Sequence, residues 1–482
     1  MLDRDVVRYF PAKLVPALTG MASIVILTRS FHPQEYGRYS AVMATLLLMN
    51  QMFGAWLSNA ILYVYPDYHN TQKHRFQRIA ARLQGFSAAI AVFVSYLSIL
   101  AATRSHLLAF VGAVIVGLQL FQSLMMAFLQ STRRVRSQTI SVSCQSLVHL
   151  AALGALLCWH KGKEAAAVLA VLVGIMSCFP ILLRATGLLL RPEAKDPEIG
   201  IGPVFKALLK YGMPICVWFF ATQFYTVGDR LILSFVGATG ELGKYASFRD
   251  LATGCAGFIS MPLLMASHPI IMMMWKTKAA RSEVEGLITR NLIILATLFV
   301  PVVVVVDLFG AQWIPWLLGD KYLSDRGIML LVIISIFLAC VGVYVQKGLE
   351  VTGRTLEMAF WAGCAAAASL GANAIIIPRY GVMGACIILI SVQCGYLFAV
   401  WYKTRNVLRV RIPPKVVLRL ILWGLAAELG ARGIAFLPLH GAQASIHIIQ
   451  IAFLVVASVL LFYSSEELSS MLKASINAVR SH

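Results

Sequence analysis

The sequence predicts an all-α integral membrane protein of about fourteen transmembrane helices: two pseudo-symmetric six-helix lobes and two extra C-terminal helices. Composition, the spacing of apolar stretches and an internal repeat predict it. Of 482 residues, 59% are hydrophobic and 13% charged, with a mean hydropathy of +0.78. A soluble domain carries about 25% charged residues, so polar side chains here are too few to coat a water-soluble body of this length. Fourteen spans of about 20 residues use about 280 residues and leave short connections only. A large soluble catalytic domain or nucleic-acid module is therefore excluded.

Taken in order, apolar stretches of membrane length occur at Val6–Leu27, Tyr39–Tyr63, Leu83–Ala102, Leu107–Leu129, Thr139–Trp159, Ala165–Leu190 and Tyr211–Val236. They continue at Tyr245–Trp275, Leu287–Leu308, Ile328–Val345, Met358–Ile377, Val382–Tyr402, Leu418–Phe436 and Ile446–Tyr463. Loop charges orient them, because Lys and Arg accumulate on the cytoplasmic side. With the N-terminus inside, the inner segments carry 26 Lys and Arg and the outer ones nine. That is expected to place both termini on the cytoplasmic side. It also explains the net charge of +20 without nucleic acid, since most of it would lie against anionic inner-leaflet lipid. The first stretch holds Pro11, Lys13 and Pro16 and has no small-residue cleavage site, so it is expected to remain as a helix rather than a signal peptide. The nine cysteines have neither zinc nor disulfide spacing and are expected as small core residues.

The repeat sets the organisation. Gly37-Arg38-Tyr39-Ser40 is echoed by Gly243-Lys244-Tyr245-Ala246. Leu129-Gln130-Ser131-Thr132-Arg133-Arg134 with Cys144 is echoed, 220 residues later, by Leu349-Glu350-Val351-Thr352-Gly353-Arg354 with Cys364. Six spans separate the copies, so both halves share one orientation and an axis along the membrane normal relates them, with a shared cavity between. The expected division is an N-terminal lobe over 1–192, a cytoplasmic linker over 193–209, a C-terminal lobe over 210–404, and a last segment over 405–482. That segment holds two helices after Pro413-Pro414 and an amphipathic tail with Leu468, Met471, Leu472 and Ile476 on one stripe.

Several runs carry a family likeness. Leu27-Thr28-Arg29-Ser30-Phe31-His32-Pro33-Gln34-Glu35-Tyr36-Gly37-Arg38-Tyr39 resembles the opening motif of the bacterial polysaccharide-biosynthesis flippases, which translocate lipid-linked O-antigen and exopolysaccharide units. The likeness continues in Asp229-Arg230, Gly243-Lys244-Tyr245, Leu318-Gly319-Asp320-Lys321-Tyr322 and Ile377-Pro378-Arg379-Tyr380-Gly381-Val382-Met383-Gly384-Ala385. The resemblance implies the V-shaped, alternating-access architecture of the multidrug/oligosaccharidyl-lipid/polysaccharide exporter superfamily. It also implies an undecaprenyl-pyrophosphate-linked glycan as cargo, with membrane lipid and a polysaccharide polymerase or export complex as partners. No cofactor, metal or nucleic acid is implied.

A charge at the bilayer centre costs about 2.5–3.5 kcal/mol on insertion scales, so ionisable residues within spans should face a cavity or a partner. A pyrophosphate head needs fixed positive charge, and the planar arginine fork suits it. Lys13, Arg230 and Arg249 form the expected anion ladder, joined by Gln223 on the same face as Arg230 and by Arg38 at a helix start. Asp229 and Asp250 each adjoin an arginine, but adjacent helical residues do not face each other. Cross-helix pairing of Asp229 with Arg249, or of Asp250 with Arg230, is the expected structural lock, with ion coupling as the alternative role. Asp307 is expected to be solvated, and Glu428 and Arg432, four apart, to bridge each other.

Two other functions compete. A glycan polymerase or ligase needs acid, base or metal ligands on a large outer loop. The longest outer connection, about Phe309 to Gly327, offers only Asp320 and Asp325, so the chain is expected not to be an enzyme. No phosphate-gripping loop, metal-binding helix motif or nucleophile elbow occurs. A multidrug or cation exporter of the same superfamily would want an acidic cavity, whereas the deep charges lean basic by six to four.

Overall fold

The computed structural model describes residues 2–68, 73–132, 134–159, 163–188, 200–277, 280–410, 412–435 and 443–464. They form α1 (Leu2–Ser30), α2 (Pro33–Phe53), α3 (Ala55–Tyr68), α4 (Lys73–Thr103), α5 (His106–Ser131), α6 (Val135–Trp159), α7 (Lys163–Thr186) and α8 (Ile201–Phe235). After these come α9 (Thr239–Lys276), α10 (Arg281–Leu318), α11 (Arg326–Val345), α12 (Lys347–Val351), α13 (Thr355–Thr404), α14 (Pro414–Ala435) and α15 (Gln443–Ser464). No strand occurs among the described residues. Eight helices are long and apolar enough to cross a membrane, or ten if each of two bent pairs counts as one span. Leu14–Ser30 and Ile446–Phe462 are shorter apolar helices. Residues 193–199 of the expected linker and the expected amphipathic tail beyond 464 lie outside the described residues.

The side chains are distributed for lipid. On α4, Phe86, Ile90, Phe93 and Leu97 recur at helical spacing and point outward, with Phe86 72% exposed. The buried face of the same helix carries Ala80, Gln84, Ala91 and Ser95. A soluble helix would put the phenylalanines inside. Here the solvent is hydrocarbon, and helix contacts favour small residues that allow close approach. The cysteines follow the same logic and correct the expectation of a core role: Cys178, Cys216 and Cys386 are buried, but Cys158, Cys255, Cys364 and Cys394 are exposed.

Backbone breaks within apolar segments have chemical partners, as they must where water is absent. The second predicted span is two helices, α2 and α3, meeting at 40° around Gly54. The break frees the carbonyls of Gln51, Met52 and Phe53. The Cys216 thiol donates to the first two (3.4 and 3.2 Å) and the Gln84 amide to the third (3.4 Å). In α8, arms 201–210 and 212–235 meet at 43°. Pro214 has no N–H for the Lys210 carbonyl, which accounts for a bend at this point. A Cβ on the adjoining Gly212 would lie 2.1 Å from the Trp56 carbonyl oxygen, so only glycine lets α8 lie this close to α3. The first arm of α8 also shows that residues 201–209, placed in the linker by sequence, are helical.

Two further differences concern the later spans. The spans expected at Met358–Ile377 and Val382–Tyr402 are arms of α13 that turn at Gly381, whose φ of +54° and ψ of −138° suit glycine. The outer connection expected from Phe309 is shorter than its sequence suggested, because α10 continues to Leu318 and a 3-10 turn over Asp320–Tyr322 follows.

The contacts divide the chain into two compact units. One comprises Met1–Gly254, Leu317–Leu323 and Arg354–Val392; the other comprises Cys255–Trp316, Ser324–Gly353 and Gln393–His482. In the first, α6 packs on α7 and α1, α4 on α5, and α8 on α2 and α3. Its core joins Leu57, Ile61 and Tyr65 of α3 to Phe76 of α4, Phe128 of α5 and Leu208 of α8. In the second, Val304 and Phe309 of α10 pack with Ala427 and Ala431 of α14 and Leu454 of α15.

Candidate functional site

Motifs spread over more than 300 residues of sequence converge at one end of the first unit. Helix α2 begins with Pro33 at its first position, and Glu35 reaches back to accept the His32 N–H at 2.7 Å, which fixes the α1–α2 corner. The Tyr322 hydroxyl donates to the Phe31 carbonyl (3.2 Å), and Lys163 Nζ donates to the Ser30 carbonyl (2.6 Å). The Tyr322 ring stands 6.0 Å from that of Tyr36 in an edge-on arrangement. A Cβ on Gly381 would lie 2.8 Å from a carboxylate oxygen of Glu241, which brings the α13 turn to the same place.

The two copies of the repeated motif pack on each other here. A Cβ on Gly37 would lie 2.0 Å from the Thr239 carbonyl oxygen, and one on Gly243 would lie 1.8 Å from that of Pro33. Position 33 stands to 37 as 239 does to 243, so the contact is reciprocal: each helix offers a glycine to the first turn of the other. Small residues four apart allow such backbone approach.

Below this crossing lies a buried charge network. Successive side chains on a helix diverge by about 100°, so Asp229 and Arg230 on α8 reach different partners. Asp229 Oδ2 accepts from Arg249 Nη1 (3.0 Å) and from the Tyr245 hydroxyl (2.6 Å), both on α9. Arg249 Nη2 also donates to the Thr226 carbonyl. Arg230 Nη2 donates to Asp250 Oδ1 (2.6 Å), its Nη1 to the Ser40 hydroxyl on α2 (3.1 Å), and the Tyr36 hydroxyl donates to Asp250 Oδ2 (3.1 Å). Asp229, Arg230 and Arg249 are each less than 10% exposed. Both cross-helix pairs expected from sequence are therefore present together, tying α2, α8 and α9. Arg230 Nε–H meets no acceptor among the described residues.

Of the other sequence candidates, Arg38 pairs with Glu164 on α7, its Nε 2.9 Å from the carboxylate, and Gln223 is half-buried on α8. Lys13 lies within α1, but its side chain is outside the described residues. Tyr36, Ser40 and Tyr245 were missed as site residues although they stand in the quoted motifs. A tyrosine or serine on an apolar helix gives no signal of its partner until the helices are placed.

In the second unit one expectation is overturned and another extended. Asp307 is not solvated: its side chain is 7% exposed and accepts a two-bonded fork from Arg326 and a third bond from Arg432 Nη2 (3.3 Å). The Glu428–Arg432 bridge forms as expected (2.6 Å) and joins this cluster. The partners come from α11 and α14, whose arginines cover the Asp307 carboxylate. Because Arg326 and Arg432 are themselves about half exposed and can be rehydrated, Asp307→Asn is expected to cost only about 1 kcal/mol. Melting of the purified protein in detergent checks this; a loss several times larger would mean the cluster is electrostatically isolated.

An all-helical, multi-pass body whose conspicuous chemistry is interhelical charge is built to hold helices in defined arrangements within lipid. That is the construction of a polytopic membrane protein, and comparison with known proteins gives its family and fold. The chain belongs to the polysaccharide biosynthesis protein family, whose sequence profile matches residues 3–275. It shares the fold of the lipid II flippase MurJ in an inward closed conformation, with a TM-score of 0.72 over 95% of this chain and 98% of that one at 13% identity. It also matches the MATE multidrug transporter DinF-BH (TM-score 0.61, 84% and 96% coverage, 12% identity). An inward-facing multidrug resistance MATE family transporter of the MOP superfamily is similar (TM-score 0.60, 83% and 97%, 13%). No curated protein matches the chain by sequence. The fold is therefore that of MOP-superfamily transporters.

Proposed function

We propose that this protein is a flippase that moves an undecaprenyl-pyrophosphate-linked oligosaccharide from the inner to the outer leaflet of the cytoplasmic membrane by alternating access. In this reading Lys13, Arg230, Arg249, Arg38 and Gln223 receive the anionic head, and the chain crosses the membrane about fourteen times with both ends inside. The observation that carries it is Arg230: a buried guanidinium, held from two sides by Asp250 and Ser40, that keeps one N–H unused. A phosphate oxygen is an acceptor suited to that N–H, and displacing Asp250 would free the rest of the guanidinium fork. Asp229 and Asp250 hold the arginines while no anion is present, and an arriving diphosphate competes with them. The crossing at Gly37 and Gly243 lies at the outer end in the orientation set by the loop charges, so release to the outer leaflet requires it to open.

The test is translocation in inverted vesicles loaded with a labelled lipid-pyrophosphate glycan. Vesicles containing the protein are expected to move the glycan to the lumenal leaflet, and Lys13→Ala to slow this at least about tenfold, the order of one lost charge-assisted contact. Equal movement in protein-free vesicles, or efflux of a lipophilic cation in its place, would remove the glycan from consideration.

A further inference from the structure

The second unit holds a buried charge group that the sequence had counted only as inner-face positive charge. Lys347, on the short helix α12, is 2% exposed. Its Nζ donates to Glu350 one turn on, and lies 2.8 Å from Nδ1 of His268 on α9. Glu350 Oε1 accepts from Gln346 Nε2 (3.0 Å), and the Tyr396 hydroxyl donates to Gln346 Oε1 (3.4 Å). Among the described residues, Lys347 and Glu350 are the charged groups acting on His268.

The fold does not require these charges. The repeat relates 349 to 129, so Lys347 and Glu350 correspond to Ala127 and Gln130 of the first half. Ala127 is buried in an apolar core. By the spacing of Gly37 and Gly243, His268 corresponds to Leu62. One half therefore builds the same place without an ionisable group, while the other bears the cost of a buried ammonium, about 2.5–3.5 kcal/mol on insertion scales if unpaired. A structural ion pair alone leaves the imidazole unexplained.

We propose that His268, Lys347 and Glu350 form a proton-binding site whose occupancy moves the Lys347 ammonium. An ammonium has donors only, so in the arrangement seen Nδ1 accepts from Lys347 and the ring is neutral, its proton on Nε2. A proton from water adds to Nδ1, forming one N–H bond and breaking none within the protein. The group passes from net charge zero to plus one. Nδ1 can then no longer accept from Lys347, and it faces Glu350 Oε2, 3.8 Å away, as a donor. Two cations share one carboxylate, and Lys347 must give way. The His268 side chain is 45% exposed, and it lies about two turns from the end of α9 at Lys276, where the proton enters. In the orientation set by the loop charges α12 lies at the inner face, so the site reads the inner pH. Its use to drive transport rests on the flippase reading; its proton binding does not.

The experiment is nitrogen NMR of the full chain in nanodiscs with 15N-labelled imidazoles, the His268 signal being assigned by its loss in His268→Gln. The His268 signal, followed from about pH 4 to 9, is expected to report protonation at Nδ1. Lys347→Met, which removes the opposing cation, moves its midpoint up by about one unit or more; Glu350→Gln moves it down; Lys347→Arg leaves it near the wild-type value. A His268 that does not titrate, or one that ignores Lys347→Met, overturns the site. In the vesicle assay wild-type flipping is expected to change at least about fivefold across this range, and His268→Gln to flatten the profile while flipping persists. A wild-type pH profile retained in His268→Gln overturns the coupling. Titration as expected in a protein that flips no glycan supports the site and sinks the flippase reading alone.

Discussion

Asp229→Ala is expected to destabilise the protein by about 3–5 kcal/mol, the range for removing one partner of a buried ion pair and leaving the other charge uncompensated. Arg249, 6% exposed, would retain only the Tyr245 hydroxyl and the Thr226 carbonyl as partners. Neither carries a charge. The double variant Asp229→Ala/Arg249→Met should recover most of the loss, because a pair replaced by apolar groups leaves nothing stranded. The contrast is Arg38→Ala: its ion pair with Glu164 is 40% exposed on the arginine side, and its loss is expected to cost about 1 kcal/mol or less. Reversible unfolding in mixed micelles, run as a double-mutant cycle, separates these values. Equal effects of Asp229→Ala and Arg38→Ala would show that the α8–α9 pair is wet and does not lock the helices.

That lock was legible before any coordinates because membrane burial makes charge expensive, and so makes each intramembrane Asp or Arg a statement about a partner. The side chains of adjacent positions 229 and 230 diverge on the helix and could not pair with each other, which left the cross-helix pairing with 249 and 250. The membrane class was legible for a similar reason, since one transfer energy dominates all others. Helix ends were not. The run from Phe309 to Leu318 reads as an outer loop by hydropathy, yet Trp, Ile and Leu continue the helix because nothing there supplies a cap. The break at Gly54 was invisible because its repair depends on Cys216 and Gln84, which are distant in sequence and uninformative alone. Asp307 was misjudged because its partners come from two other helices. The Lys347 group was missed because a lysine between two spans satisfies the loop-charge rule so well that no second role was sought.

Covalent closure of the α2–α9 crossing is expected to stop flipping altogether, and to do so reversibly. In the structure a Cβ on Gly240 would lie 3.6 Å from Cγ of Gln34, the place a thiol at position 34 would take. Oxidation of Gln34→Cys/Gly240→Cys should therefore form a disulfide, identifiable by mass as a linked peptide. In the flipping cycle proposed above the crossing must open, so flipping should fall to the protein-free level and return with reductant. Gly243→Ala gives the opposite lesion at the same place. Its methyl would enter to 1.8 Å from the Pro33 carbonyl oxygen, backbone that cannot rotate away, so α2 and α9 must separate. In that background the disulfide should form poorly, and flipping should be impaired because the closed crossing can no longer be reached. The two lesions together place the crossing in the cycle: one holds it shut and the other holds it apart. Undiminished flipping by a fully oxidised protein would show that α2 and α9 stay together throughout transport, and the opening would then have to be sought elsewhere.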